Sequence, residues 1–305
     1  MRLSVLDVGS NTVHLQVVDA FSGARPNPTT NLKFDLRLSE YLDKNGYIGS
    51  EGIDLLREAI RECVAEATKA KSAELLPFAT SALRDARNGE EIIEAINREF
   101  EIDLQVLSGE EEAQITFLAA RRWFGWSSGR LLVVDIGGGS LELAVGVNEA
   151  ADIAISLPLG SSRLTKDHLE GDPFIKKSIR QLRDYIESQI AEILPSMVQH
   201  QETDRAIATS KTLRTLARLT GDWADGDGKS IRLEALRKIL PRLSEMTQEE
   251  RSELPGVSKS RAGQIVAGAF VAESVMRNLD LEQLEICPWA LREGIVLKWL
   301  DWIKQ

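Results

Sequence analysis

Apolar and polar positions along this chain follow two periods, and the order in which those periods appear is repeated. Leu3 to Asp7 and Val13 to Asp19 are short apolar runs flanking Gly9-Ser10-Asn11, the pattern of a strand, a tight turn and a returning strand. Gly52 to Lys69 then places Ile53, Leu56, Ile60, Val64 and Ala67 at helical spacing, with Ser50 as the expected cap. Leu75 to Thr80 reads as a buried strand, Glu90 to Phe100 as a helix, Asp103 to Leu107 as a strand and Glu110 to Phe124 as a helix. Trp126-Ser127-Ser128-Gly129 follows as the expected joint between two lobes. The order then restarts: a hairpin of Leu131 to Ile136 and Leu141 to Val147 around Gly137-Gly138-Gly139, a long helix within Pro173 to Met197, a strand at Arg205 to Thr209 and a helix from near Thr212. Gly221 to Gly228 is turn-rich and reads as a loop, Ser258 to Leu279 as one helix, Leu284 to Cys287 as a strand and Trp289 to Ile303 as a terminal helix.

The repeat extends to the residues themselves. Val5-Leu6-Asp7-Val8-Gly9-Ser10-Asn11-Thr12 returns as Val133-Val134-Asp135-Ile136-Gly137-Gly138-Gly139-Ser140, with Asp7 and Asp135 separated by 128 positions. Ala79-Thr80-Ser81 returns as Ala208-Thr209-Ser210 at 129, each followed by a Leu-Arg pair, Leu83-Arg84 and Leu213-Arg214. Two matches at almost the same offset indicate a duplicated α/β lobe, expected at residues 1–125 and 126–305, with the terminal helix packing back on the first.

Composition narrows the chemistry. At 305 residues and 43% hydrophobic the chain can build two cores. A net charge of −10 argues against nucleic acid or anionic membrane as a partner, so an anionic substrate needs a local basic site. Cys63 and Cys287 form no CxxC pair, and His14, His168 and His200 lack metal-ligand spacing. No secretory leader or run of about 18 apolar residues is present, which predicts a cytoplasmic protein.

A glycine turn alone is a plain hairpin turn. Two copies at a domain-scale offset, each after an aspartate at a strand end, read instead as phosphate-cradling loops made of Gly9, Ser10 and Asn11, and of Gly137, Gly138, Gly139 and Ser140. Asp135 and Glu142 flank the second turn and suit Mg²⁺, whereas the first turn has Asp7 with His14 in the place of Glu142, so the metal is expected at the second. Ser108 to Glu111 has capping-box spacing, which accounts for Glu111 and leaves Glu112 as a candidate general base. Arg84, Lys211 and Arg214 sit at strand-to-helix junctions beside hydroxyls, where phosphate oxygens are held.

These words, DVGSNTVHLQV, ATSALRDARN, SGEEEA, DIGGGSLE, PLGSSRLT, ATSKTLRTLARL and ALREG, resemble in order the motifs of the exopolyphosphatase/guanosine pentaphosphatase family. The resemblance implies two ribonuclease-H-like lobes of the actin-like, sugar kinase and chaperone ATPase superfamily, with the active site in the interdomain cleft. It implies release of the terminal phosphate of inorganic polyphosphate, with guanosine pentaphosphate as the alternative substrate. By motif, Glu112 becomes the catalytic base, Arg84 the arginine of the ATSxxR word and Asp135 with Glu142 the acidic pair. The family's usual RAD word stands here as Arg261-Ala262-Gly263, which removes an aspartate. Longer members carry further C-terminal domains that this chain does not show, so short polyphosphate is the expected preference. An ATP-dependent small-molecule kinase and a non-catalytic polyphosphate or nucleotide sensor are the rival readings. The oligomeric state stays open, a homodimer included.

Overall fold

A computed structural model describes the whole chain except Ser22, Ala24, Gln199, His200, Gln201, Glu202, Asp225, Lys304 and Gln305, so His200 lies outside the described residues. The chain divides into two compact units, Met1–Ile115 with Leu291–Gln305, and Thr116–Ala290.

The first unit is built on a five-stranded sheet: β1 (Arg2–Val8), β2 (Thr12–Asp19), β3 (Asn27–Asp35), β4 (Glu74–Ala79) and β5 (Gln105–Val106). Their order is β3-β2-β1-β4-β5, with β1 and β2 antiparallel and β1 and β4 parallel. Strand alternation sends Leu6, Val8, Val13 and Leu15 against Leu56, Ile60 and Cys63 of the Ser50–Lys69 helix. Leu3 and Val5 go to the other face, packing with Phe78 against Val296 and Leu300 of the Leu291–Trp302 helix. Burial pushes the Cys63 thiol up to about 12, as an inert core residue requires.

The second unit repeats this plan with β6 (Leu131–Ile136), β7 (Leu141–Gly146), β8 (Ile153–Leu157), β9 (Arg205–Ala208), β10 (Ser230–Arg232) and β11 (Gln283–Ile286), ordered β10-β11-β9-β6-β7-β8. Read from β8, the order β8-β7-β6-β9-β11 matches β3-β2-β1-β4-β5, with β10 added at the edge. Both sheets therefore have the ribonuclease-H-like arrangement, and the class is α/β.

Several elements differ from the sequence expectation for local reasons. The Ser50–Lys69 helix is capped by Gly49, and Ser50 is its first residue. β3 went unread because Pro28 breaks the strand signal, which an edge strand tolerates. The expected Ser258 to Leu279 helix is two helices, Lys259–Ala262 and Ile265–Asn278, interrupted where the Gln264 amide oxygen accepts from Ser161 and Ser162. The Lys211–Trp223 helix runs into the segment expected as a loop. The unit boundary falls between Ile115 and Thr116, inside the Gly109–Phe124 helix, and differs from the expected 125/126. The reason is Arg121: fully buried, it donates to the carbonyls of Gly125, Gly129 and Gly146, tying that half of the helix and the Trp126–Ser128 turn to β7.

Candidate active site

In each unit the two repeated words end up side by side. Strand β1 runs parallel to β4, so Val8 pairs with Ala79 and the first glycine turn lies next to Thr80-Ser81; Ser10 and Ser81 share a hydroxyl hydrogen bond of 2.8 Å. Strand β6 runs parallel to β9, so Val134 pairs with Ala208, and the Thr209 hydroxyl donates to Asp135 Oδ2. Carboxyl ends of parallel strands are where open α/β sheets place ligands, because turns and helix starts converge there. The turns are closed alike, Gly9 N–H donating to the Thr12 carbonyl and Gly137 N–H to the Ser140 carbonyl, each 2.9 Å.

The second turn has a backing that sequence reasoning assigned no role. The amide of Ser161 donates to the Gly137 carbonyl, and those of Ser162 and Arg163 to the Gly138 carbonyl. With its carbonyls engaged by the start of the Ser161–His168 helix, the turn keeps the Gly138 and Gly139 N–H groups out of any described hydrogen bond. Such donors are what a phosphate cradle requires.

Asp135 and Glu142 are direct cross-strand partners on β6 and β7, so their side chains share one face. Glu142 is 5% exposed and accepts from the Ser156 hydroxyl at 2.9 Å. Two carboxylates set opposite one another destabilise a sheet unless something positive meets them. A hard cation that takes one or two carboxylates and otherwise keeps water fits this donor set. Among the described residues there is no group of three or more His, Cys, Asp or Glu that could hold a metal ion.

In the first unit, the Ser108 and Glu111 pair forms both halves of the capping box: the Ser108 amide donates to Glu111 Oε2 at 2.8 Å and the Glu111 amide to Ser108 Oγ at 3.1 Å. The Ser108 amide, foremost, holds the Glu111 carboxyl below its ordinary value, and burial opposes it. Glu112 is 7% exposed and bound to Arg84 by an ion pair. It is thus an oriented carboxylate, held by a partner that the capping-box spacing did not indicate. Arg84 also donates to the Leu107 carbonyl at 3.0 Å and to Asp85 at 3.2 Å. Burial works against its charge, but Glu112 and then Asp85 more than offset this and hold its proton above the ordinary arginine value.

Of the other basic candidates, Lys211 opens the helix capped by Ser210, whose hydroxyl accepts from the Leu213 amide, and Arg214 donates to the Pro288 carbonyl at 3.3 Å. Arg261 is buried and donates to the Thr212 hydroxyl at 3.2 Å. At Gly263 a side chain would meet the Gln248 amide at 3.1 Å, so the family's aspartate would have to displace it. Neither cysteine forms a disulfide. No helix of the described residues is long and apolar enough to cross a membrane. Sequence reasoning missed Ser156, Gln264 and Arg292; only Arg292 lay in a recognised word, ALREG.

Comparison with known proteins adds to this geometry. The profile of the Ppx/GppA phosphatase family matches residues 17–302. Exopolyphosphatase 1 of Mycobacterium tuberculosis is 50% identical over 305 residues, covering 99% of this chain and 89% of that protein. Exopolyphosphatase 1 of Mycobacterium leprae is 47% identical, covering 99% and 90%. Among solved structures, a Ppx-GppA enzyme of Aquifex aeolicus superposes with a TM-score of 0.79 at 25% identity, covering 98% of this chain and 99% of that one. An exopolyphosphatase of Cytophaga hutchinsonii has a TM-score of 0.88 at 24% identity, covering 99% and 98%, a likeness of fold.

Proposed function

The chain belongs to the Ppx/GppA phosphatase family, and we propose that within it the chain removes the terminal phosphate of inorganic polyphosphate, with Mg²⁺ held by Asp135 and Glu142. It is a phosphoanhydride hydrolase, an exopolyphosphatase by its kinship. What favours polyphosphate over guanosine pentaphosphate is that the relative at 50% identity bears the name Exopolyphosphatase 1. The observation that carries the assignment of the site is the convergence, in each unit, of a glycine turn and an Ala-Thr-Ser word at neighbouring parallel strand ends.

Phosphoryl transfer needs little covalent participation from the protein, so positioning and electrostatics carry most of the catalysis. The reading gives the N–H groups of Gly138 and Gly139 the task of holding phosphate oxygens, with Gly9, Ser10, Asn11, Gly137 and Ser140 completing the two loops. Bound Mg²⁺ supplies charge neutralisation at phosphate oxygens. Glu112 is assigned to orient and deprotonate the attacking water, and its ion pair with Arg84 fixes its carboxylate for that task. Arg84 in turn carries the positive charge that meets negative charge developing on the phosphoryl group. Lys211 and Arg214 are assigned to further phosphates of the chain. A cytoplasmic location belongs to the same reading.

The test is steady release of orthophosphate from polyphosphate with Mg²⁺ and no acceptor. A kinase would release little, and a sensor would bind without turnover. Comparing kcat/KM on short polyphosphate, long polyphosphate and guanosine pentaphosphate at one salt concentration then ranks the substrates. The short-chain preference fails if long chains are strongly favoured, and the polyphosphate assignment fails if guanosine pentaphosphate is.

A further inference from the structure

The two hairpins are built to one plan but carry different charges. In the second, Asp135 faces Glu142 across the strands; in the first, Asp7 faces His14 in the same register. Two-residue periodicity puts Leu3, Val5 and Asp7 on one face of β1, and Leu3 and Val5 pack against the Leu291–Trp302 helix. The second residue of that helix is Arg292. Its Nη1 donates to Asp7 Oδ2 at 3.3 Å and to His14 Nδ1 at 2.5 Å. The seating is tight, since a Cβ on Gly294 would lie 2.2 Å from the Ile115 carbonyl oxygen.

A guanidinium has donors only. His14 Nδ1 must therefore accept, which fixes the ring as the neutral tautomer with its proton on Nε2. Charged groups beside His14 include Arg292 from the terminal helix and the cross-strand neighbours Asp7 on β1 and Lys33 on β3, the latter paired with Asp35. Buried Arg292 Nε has no hydrogen-bond partner, so the contacts of Nη1 with Asp7 and His14 have to outweigh that loss.

We propose that Arg292 is the resident cation of the first glycine hairpin, a positioning residue that does there what a divalent ion does at a pair of carboxylates. It neutralises Asp7, holds His14 neutral and fixes both at the foot of the Gly9 to Asn11 turn, so this turn meets an anionic phosphate without a metal of its own. The inference depends on contacts within the first unit and stands apart from the assignment of Mg²⁺ to Asp135 and Glu142.

Two measurements test it. Nuclear magnetic resonance of His14, in ¹⁵N-labelled protein, reads tautomer and titration in the wild type, Arg292→Gln and Arg292→Lys. Removing the cation leaves Asp7 facing the ring, so in Arg292→Gln the midpoint of His14 rises by about one pH unit or more, and Arg292→Lys returns it towards the wild-type value. Electron paramagnetic resonance with Mn²⁺ then counts bound ions in the wild type and in the double variant His14→Glu/Arg292→Gln, which recreates a pair of carboxylates. The double variant gains one tight Mn²⁺ over the wild type, whatever the wild type itself binds. An unshifted His14 in Arg292→Gln, or no added ion in the double variant, overturns the proposal. If the wild type binds no Mn²⁺ but the double variant binds one, the proposal stands and the assignment of metal to Asp135 and Glu142 falls.

Discussion

Replacing Gly160 by alanine exchanges one hydrogen for a methyl group, at a position whose backbone any residue adopts, with φ −72° and ψ 144°. The effect is therefore one of space alone. The new Cβ would lie 2.2 Å from the carbonyl carbon of Gly139, 2.3 Å from the amide nitrogen of Ser140 and 2.4 Å from the carbonyl oxygen of Gly138. All three are backbone atoms of the second glycine turn, with no flexible side chain to swing aside. Either the turn or the start of the Ser161–His168 helix has to retreat by about 1 Å, a displacement that at a catalytic site costs on the order of 10²-fold in rate. Overpacking of this kind costs about 1–3 kcal/mol. For a unit of this size that lowers the Tm by about 2–4 °C per kcal/mol. The assay is kcat/KM for orthophosphate release from polyphosphate, alongside a thermal melt. Gly9→Ala is the comparison for stability: its Cβ would meet the Thr12 carbonyl at 3.4 Å and Asp7 at 3.7 Å, ordinary contacts, so its Tm stays near wild type. A Gly160→Ala protein with unchanged Tm and unchanged kcat/KM would refute both the backing of the turn by Gly160 and the use of the turn in catalysis.

Glu112→Gln is expected to lower kcat by roughly 10²- to 10⁴-fold with little change in KM, as loss of a general base does. Glu111→Gln instead weakens the capping box and lowers stability by up to about 1 kcal/mol in a denaturant titration; the reverse pattern would exchange the two roles. Because Glu111 has its folded pKa below the ordinary 4.5, its contribution is present above that value and is lost as pH falls through the folded pKa. The stability difference between wild type and Glu111→Gln should accordingly shrink below about pH 4.5, and a difference that grows there would contradict the assignment. Asp135→Asn and Glu142→Gln should raise the Mg²⁺ concentration for half-maximal rate, and an unchanged Mg²⁺ dependence in both would remove the metal from this pair.

Local chemistry was legible in the sequence. An aspartate before a glycine turn and a residue seven positions after it were expected at the mouth of one hairpin, and the length of the turn sets the register in which Asp7 meets His14 and Asp135 meets Glu142. The Ser108 to Glu111 capping box spans three residues and formed as its spacing required. The Ala-Thr-Ser words marked the strand ends, and their repeat anticipated two similar sheets. What the sequence could not supply were contacts whose partners lie far apart along the chain. The Ser156 to Glu142 bond depends on the pairing of β8 with β7, and the bonds from Ser161 and Ser162 to Gln264 span about a hundred residues and break a helix that its apolar pattern made continuous. The ion pair of Arg84 with Glu112 joins the end of the short Ser81–Arg84 helix to the first turn of the Gly109–Phe124 helix, two segments that nothing local connects. Arg292 reaches Asp7 from 285 positions away, through the packing of the terminal helix on one face of the first sheet. Periodicity fixes which face a side chain takes, but only the packing of elements decides which charge it meets there, and at the first hairpin that charge is a guanidinium.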